Sequence, residues 1–95
     1  MPTYIVLYKF TDQGAKDIKG TLKRVRESRA ENEKRGFKTV GVWWTQGQYD
    51  LAAVVEAPDE ASMLRGLFSI AGAGNVKSET LRAYGESEME KVLSG

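Results

Sequence analysis

With no histidine and no cysteine in 95 residues, this chain has only carboxylates, amines, guanidiniums, phenols, hydroxyls and amides for chemistry. Thiol nucleophiles, disulfides, Cys/His zinc centres and imidazole acid–base catalysis are excluded, and no metal site or cofactor is expected. Six residues stand out by type and position: Lys9, Trp43, Trp44, Tyr49, Asp50 and Arg82. They are the candidates for lining a ligand pocket. A carboxylate at the head of an apolar strand is expensive unless partnered. Asp50 therefore either accepts backbone N–H groups in its turn, or pairs with Lys9 or Arg82, or is aimed into a cleft as a base or ligand anchor. Lys9 follows Ile5 and Leu7 on one face, so it either reaches for the sheet edge or lines a pocket. Trp43 and Trp44 are adjacent on a strand and must face opposite ways. One is expected in the core, the other in a pocket wall or a subunit interface. Arg82 has the fork that grips a carboxylate or phosphate, or it is a surface ion-pair partner of Glu79 or Glu56. Gly72-Ala73-Gly74-Asn75 follows a helix and precedes a strand, the reverse of a phosphate loop, and reads as a helix end.

The elements that hold these residues follow from periodicity and turn chemistry. Thr3–Phe10 is rich in β-branched and aromatic residues and reads as a strand. Thr11 or Asp12 caps a helix running to about Arg35, with Ala15, Ile18, Leu22 and Val25 on its buried face. Gly20 is its weak point, a place for a kink or break, and Gly36 suits the position just past its end. Phe37–Thr45 and Tyr49–Glu56 read as strands joined by the short Gln46-Gly47-Gln48 loop. Asp59 caps a second helix, whose expected buried side is Ala61, Leu64, Leu67, Phe68 and Ala71. Val76–Ala83 is the fourth strand, and Ser87–Leu93 is a short third helix capped near Gly85-Glu86.

The order βαββαβ is the ferredoxin-like motif, α+β in class, with an extra C-terminal helix. It predicts an antiparallel sheet ordered 4-1-3-2 in a single domain over residues 1–95. Strand three, Leu51-Ala52-Ala53-Val54-Val55, is apolar on both faces, and strand one nearly so. An antiparallel sheet covered by helices on one side normally turns a polar face to water on the other. Here the second face needs a cover, and a second copy of the same sheet supplies it, as in a dimeric α/β barrel. A chain this short buries only roughly 60–65% of its unfolded surface, which also favours sharing an interface.

Net charge is +1, no footprint for a nucleic-acid binder. Residues 12–36 carry eight Lys/Arg against five Asp/Glu, and residues 46–95 carry four against eight. That asymmetry reads as solvated helix faces or as a guide for an anionic partner. The apolar run Tyr4–Tyr8 is too short for a signal peptide or a membrane span, so a cytoplasmic protein is expected.

Gly47-Gln48-Tyr49-Asp50 resembles the signature of the GYD-domain family, a prokaryotic group, with Gly47, Tyr49 and Asp50 supplying the three named residues. The likeness extends to Tyr4-Ile5-Val6-Leu7, Thr11-Asp12-Gln13-Gly14, Gly41-Val42-Trp43-Trp44-Thr45, Glu56-Ala57-Pro58-Asp59 and the stretch from Gly74 to Ala83. At Gly20-Thr21 the chain departs from the Ser-Pro-like break the family leads one to expect. The resemblance implies a ferredoxin-like fold related to dimeric α/β barrels and implies no activity. Three readings of function stand. The first is a homodimeric module that binds a small organic or anionic ligand or acts in regulation. The second is a cofactor-independent monooxygenase- or isomerase-like enzyme, by analogy of fold. The third is a structural assembly subunit. With no nucleophile–base pair in the chain, binding stands ahead of catalysis.

Overall fold

β1 (Thr3–Phe10) and β3 (Leu51–Glu56) lie side by side at the centre of a four-stranded antiparallel sheet, with β2 (Lys38–Trp44) and β4 (Val76–Ala83) at its edges. The order β2-β3-β1-β4 is the expected 4-1-3-2 read from the other edge. These positions come from a computed structural model that describes residues 1–95. Register follows the apolar pattern: Tyr4 stands opposite Val55, Val6 opposite Ala53, and Tyr8 opposite Leu51. Those six face the helices. Successive side chains alternate across a strand, so Ile5, Leu7, Ala52 and Val54 face the other way. On β2 the register slips between Thr39 and Gly41, which leaves Val40 unpaired as a bulge.

The helix layer departs from expectation at two places. The first helix is not continuous. α1 (Asp12–Lys16) is one short piece, a 3₁₀ turn covers Ile18–Gly20, and α2 (Thr21–Lys34) follows. The break falls where Gly20 and Asp17 weaken the helix, and Arg24 locks it by donating to the Asp17 carbonyl and carboxylate at 2.8 and 2.9 Å. With its two parts offset, the run Ala15, Ile18, Leu22, Val25 no longer forms one stripe. Only Val25 is half-buried, and Ala15, Ile18 and Leu22 are exposed. Gly36 then turns the chain at φ 89°.

α3 (Glu60–Ala73) starts where expected, with the Asp59 carboxylate accepting the Ser62 N–H at 2.7 Å. That bond, a further hydrogen bond from the Ser62 side chain and the nearby Arg65 charge hold Asp59 below the usual carboxylate pKa. The helix is rotated from its predicted phase, however. Met63 is buried and Leu67 and Ile70 are half-buried, while Leu64 and Phe68 point outward at 51% and 67% exposure. This helix is apolar nearly all round, so periodicity alone does not choose its inward face. Packing against Phe37 does: Met63 joins it in the core cluster, and Gly66 lies over its ring at ordinary contact distance.

The core is one cluster of Tyr4, Val6, Phe37, Val55, Ala57 and Met63. Each large aliphatic or aromatic member contributes about 1.5–3 kcal/mol by leaving water. Only nine of the 95 residues are buried, thin for a chain that must stand alone. α4 (Glu86–Ser94) adds little to that core: none of its residues is buried, and Val92 and Leu93 are exposed. No helix is long and apolar enough to cross a membrane.

Candidate functional site

The sheet face turned away from the helices is an apolar floor with charged ends. Ile5 lies between Val54 and Leu81, Leu7 lies opposite Ala52, and Trp43 also pairs with Ala52. The Trp43 indole folds back over Gly41, where a methyl group would clash with the ring. Trp43 remains 52% exposed. At one end of the floor Lys38 and Glu56 form an ion pair at 3.7 Å. At the other end Lys9, Tyr49 and Glu79 gather. The Lys9 ammonium sits 5.4 Å from the centre of the Tyr49 ring, and the Tyr49 hydroxyl donates to the Glu79 carboxylate. That hydrogen bond, with some desolvation and the carboxylate charge, holds the Tyr49 phenol above its ordinary pKa.

The turn between β2 and β3 explains why Tyr49 reaches this face. Counting by twos from Leu51 places Tyr49 on the helix side. The strand begins only at Leu51, though, and the Asp50 N–H bonds the same Tyr8 residue that Leu51 faces, at 2.8 Å to its carbonyl. Alternation is broken at Asp50, and Tyr49 is released to the open side. Gly47 takes φ 101° at the turn, a conformation side chains resist. Thr45 ties the two strands together. Its N–H donates to the Asp50 carbonyl at 2.9 Å and its hydroxyl to the Tyr49 carbonyl at 2.6 Å.

Asp50 Oδ2 accepts the Phe10 N–H at 2.8 Å. The carboxylate stands where a carbonyl of a longer β3 would stand, completing the ladder beside β1. Of the alternatives open in the sequence, backbone capping is the one the geometry displays, directed at β1 rather than at the turn itself. No ion pair joins Asp50 to Lys9 or Arg82. The two tryptophans do face opposite ways, but neither is core. Trp44 lies on the helix side, 43% exposed, with its indole N–H donating to the Thr21 hydroxyl at 3.1 Å. Both sit on an edge strand, Trp44 where the helix layer leaves it partly uncovered and Trp43 on the open face that no helix covers. Arg82 pairs with neither Glu79 nor Glu56. Its guanidinium lies 4.4 Å from the Tyr84 ring and 5.7 Å from the Tyr4 ring. It also donates to the Thr3 carbonyl at 3.3 Å and reaches Glu88 of α4 at 3.4 Å.

The six candidates therefore do not converge. Lys9, Trp43 and Tyr49 share the open face, Trp44 and Arg82 lie on the helix side at opposite edges, and Asp50 belongs to the backbone. A void of about 420 Å³ lies elsewhere, between α2, α3 and the sheet, and none of the six lines it. Its signal in the sequence is the polar inward face of α2, where Ser28 and Asn32 take positions that a sheet-covering helix usually gives to large apolar residues. No group of three or more acidic side chains comes together to hold a metal ion.

Comparison with known proteins adds a family. Residues 4–93 match the GYD domain. A protein of Thermus thermophilus, named glutamine synthetase and cystathionine beta-lyase binding protein, is 39% identical over 84 residues, covering 87% of this chain and 88% of that one. Among solved structures, the crystal structure of MtbAldR superposes on 90% of this chain with a TM-score of 0.68 at 14% identity. This chain spans about half of that structure's length, 52%, and the likeness is one of fold. With nearly every residue inside the match, the chain belongs to the GYD-domain family.

Proposed function

We propose that this protein is a homodimeric, non-catalytic binding module that works in the cytoplasm and acts by docking other proteins. The observation that carries the reading is the open sheet face, which is apolar at Ile5, Leu7, Val54, Trp43 and Leu81 and has no helix over it. Four strands at about 4.8 Å spacing and up to eight residues at about 3.3 Å make a face of roughly 20 by 25 Å. That is about 500 Å² in plan and more as accessible surface, near the ~800 Å² per partner of a standard interface. Two copies stacked through this face bury their floors together. The charged ends, Lys38–Glu56 and Lys9–Tyr49–Glu79, become the polar rim such interfaces carry.

The dimer leaves the helix layers outward, with Leu64 and Phe68 four residues apart on the surface of α3. An aromatic–aliphatic pair of that kind makes an anchor for a protein partner. The relative from Thermus thermophilus is named for binding two enzymes, which supports the same role here. Lack of cysteine suits a reducing compartment.

Sedimentation and pull-down test the two halves separately. The wild-type chain is expected to sediment at about twice its 10.5 kDa, and Val54→Glu as a folded monomer. Immobilised protein is expected to retain purified glutamine synthetase or cystathionine beta-lyase. Phe68→Asp should lose the retained enzyme and stay dimeric. A wild-type chain that is monomeric at micromolar concentration refutes the dimer. Retention of neither enzyme, or retention that Phe68→Asp leaves unchanged, refutes the docking role assigned to α3.

A further inference from the structure

We infer that the void between α2, α3 and the sheet is a binding site for a small organic carboxylate, separate from the open face and from any protein-docking surface. The floor of the void is apolar, with Leu51, Ala53 and Val55 of β3 among its lining residues. A helix laid over such a floor to build a core carries leucines and valines inward. α2 instead presents Arg24, Val25, Ser28 and Asn32 at that spacing, all half-buried while most of their neighbours are exposed. From the other side α3 contributes Gly66, Ile70 and Ala73, mostly small. Polar residues on one wall and small ones on the other keep the space from closing. At about 420 Å³ it falls within the range of small-molecule sites, roughly 300–1,000 Å³.

Three of the polar residues that line it have no side-chain hydrogen-bond partner. No side-chain hydrogen bond engages the Tyr8 hydroxyl, the Ser28 hydroxyl or the Asn32 amide. No fully sealed side-chain polar atom goes unpaired in this chain, so these groups are open to the void. Water meets these groups in the empty site, and a ligand with acceptor oxygens can take its place. Burial pushes the Tyr8 phenol up to about 12, so at neutral pH it offers a proton and carries no charge. The charged lining selects an anion: Arg24, Arg29 and Arg35 stand against Glu27 and Glu31. Arg24 is held by Asp17 at 2.9 Å and Arg29 lies 3.9 Å from Glu33, while Arg35 enters no ion pair. The site thus offers an apolar bed for a hydrocarbon body, neutral donors and a free guanidinium for a carboxylate. An amine finds no unpaired carboxylate among the donors, and a large or purely polar solute finds the wrong floor.

Phenylacetate, phenylacetamide and phenethylamine share one hydrocarbon body and differ in charge. Each is titrated into ¹⁵N-labelled protein, and amide shifts locate the binding. Phenylacetate is expected to bind saturably, with shifts clustered at Ser28, Asn32 and Gly66, and about tenfold more tightly than the amide, which is about 1.4 kcal/mol. The amine should bind more weakly still. The double variant Ser28→Leu with Asn32→Leu fills the void. It should melt higher than wild type and lose phenylacetate binding, so loss of binding cannot be ascribed to unfolding. Shifts confined to Ile5, Leu7 and Val54 on the open face would overturn the assignment. So would equal binding of acid and amine, no saturable binding of the acid, or undiminished binding in the filled variant.

Discussion

Replacing Asp50 by alanine asks whether the family's aspartate works on a ligand or on its own backbone. The substitution deletes the acceptor 2.8 Å from the Phe10 N–H and leaves the main-chain bonds of Asp50 to Tyr8 and Thr45 in place. A charged acceptor bond is worth about 1.5–3 kcal/mol net, and an unmet donor costs about 1–3 kcal/mol. Phe10 is only part-buried, so water recovers some of the loss, and about 1–2 kcal/mol is the expected cost. For a domain of this size 1 kcal/mol lowers Tm by about 4–8 °C, giving a drop of roughly 5–15 °C. Asp50→Asn keeps a neutral acceptor and should lose about half as much. Scanning calorimetry of the three proteins at one protomer concentration checks this, since a dimer's Tm would depend on concentration. Retention of glutamine synthetase or phenylacetate well below the lowered Tm should be unchanged. The capping role is refuted if Asp50→Ala melts within about 2 °C of wild type, and a ligand role replaces it if binding is also lost.

Four further substitutions probe the rest of the fold. A methyl group at Gly14 would press into the main chain of Asn75, 3.0 Å from its carbonyl carbon and closer to the oxygen; Gly14→Ala should cost about 1–3 kcal/mol, whereas Gly72→Ala, in open space within α3, should gain up to about 1 kcal/mol, both read from urea unfolding. The folded Tyr8 pKa is raised from 10.0 to about 12, so its contribution is fully present below pH 10 and is lost as pH climbs from 10 to 12. That loss is about 2–3 kcal/mol, and Tyr8→Phe should flatten the fall in the same alkaline urea series. Arg82→Met removes the guanidinium that joins Thr3, Tyr84 and Glu88; hydrogen exchange in α4 should accelerate while β1 and β3 stay protected.

Strand order, pairing and the caps at Asp59 and Gly85 were legible because each rests on a local rule of strong contrast. β3 is apolar at five consecutive positions, so it reads as central, and β4 carries Lys77, Glu79 and Arg82, so it reads as an edge. The inward face of α3 was not legible, since Leu64 and Phe68 are as apolar as Met63 and Leu67. The choice was made by Phe37 under Gly66, a contact across 29 positions of sequence. The face taken by Tyr49 was hidden for a different reason. Counting by twos assumes an unbroken strand, and the Asp50 N–H breaks the count by bonding the Tyr8 carbonyl. Of the six candidate residues, adjacency alone was enough to split Trp43 from Trp44. The partners of Asp50 and Arg82 lie 40 and as many as 79 positions away, beyond any spacing argument.

The thin core and the polar inward face of α2 belong to one design. Leucine at Ser28 and Asn32 would close the void and add about 1.5–3 kcal/mol for each side chain buried, a large share of the 5–15 kcal/mol that holds an ordinary domain together. A chain selected only to fold would take that gain. This one leaves the sheet bare on one side, keeps a cavity on the other and turns Leu64 and Phe68 to solvent. On the readings proposed above, each of these surfaces is completed by a binding partner. A ligand present at a hundredfold its Kd stabilises the folded state by about 2.7 kcal/mol, comparable with what one leucine in the void would supply permanently. The difference is that the ligand's contribution depends on its concentration. α3 both lines the cavity and carries the outward Leu64–Phe68 pair, so if both proposals hold, the two sites share one helix. A filled, leucine-lined variant would be the more stable protein and would have lost that dependence.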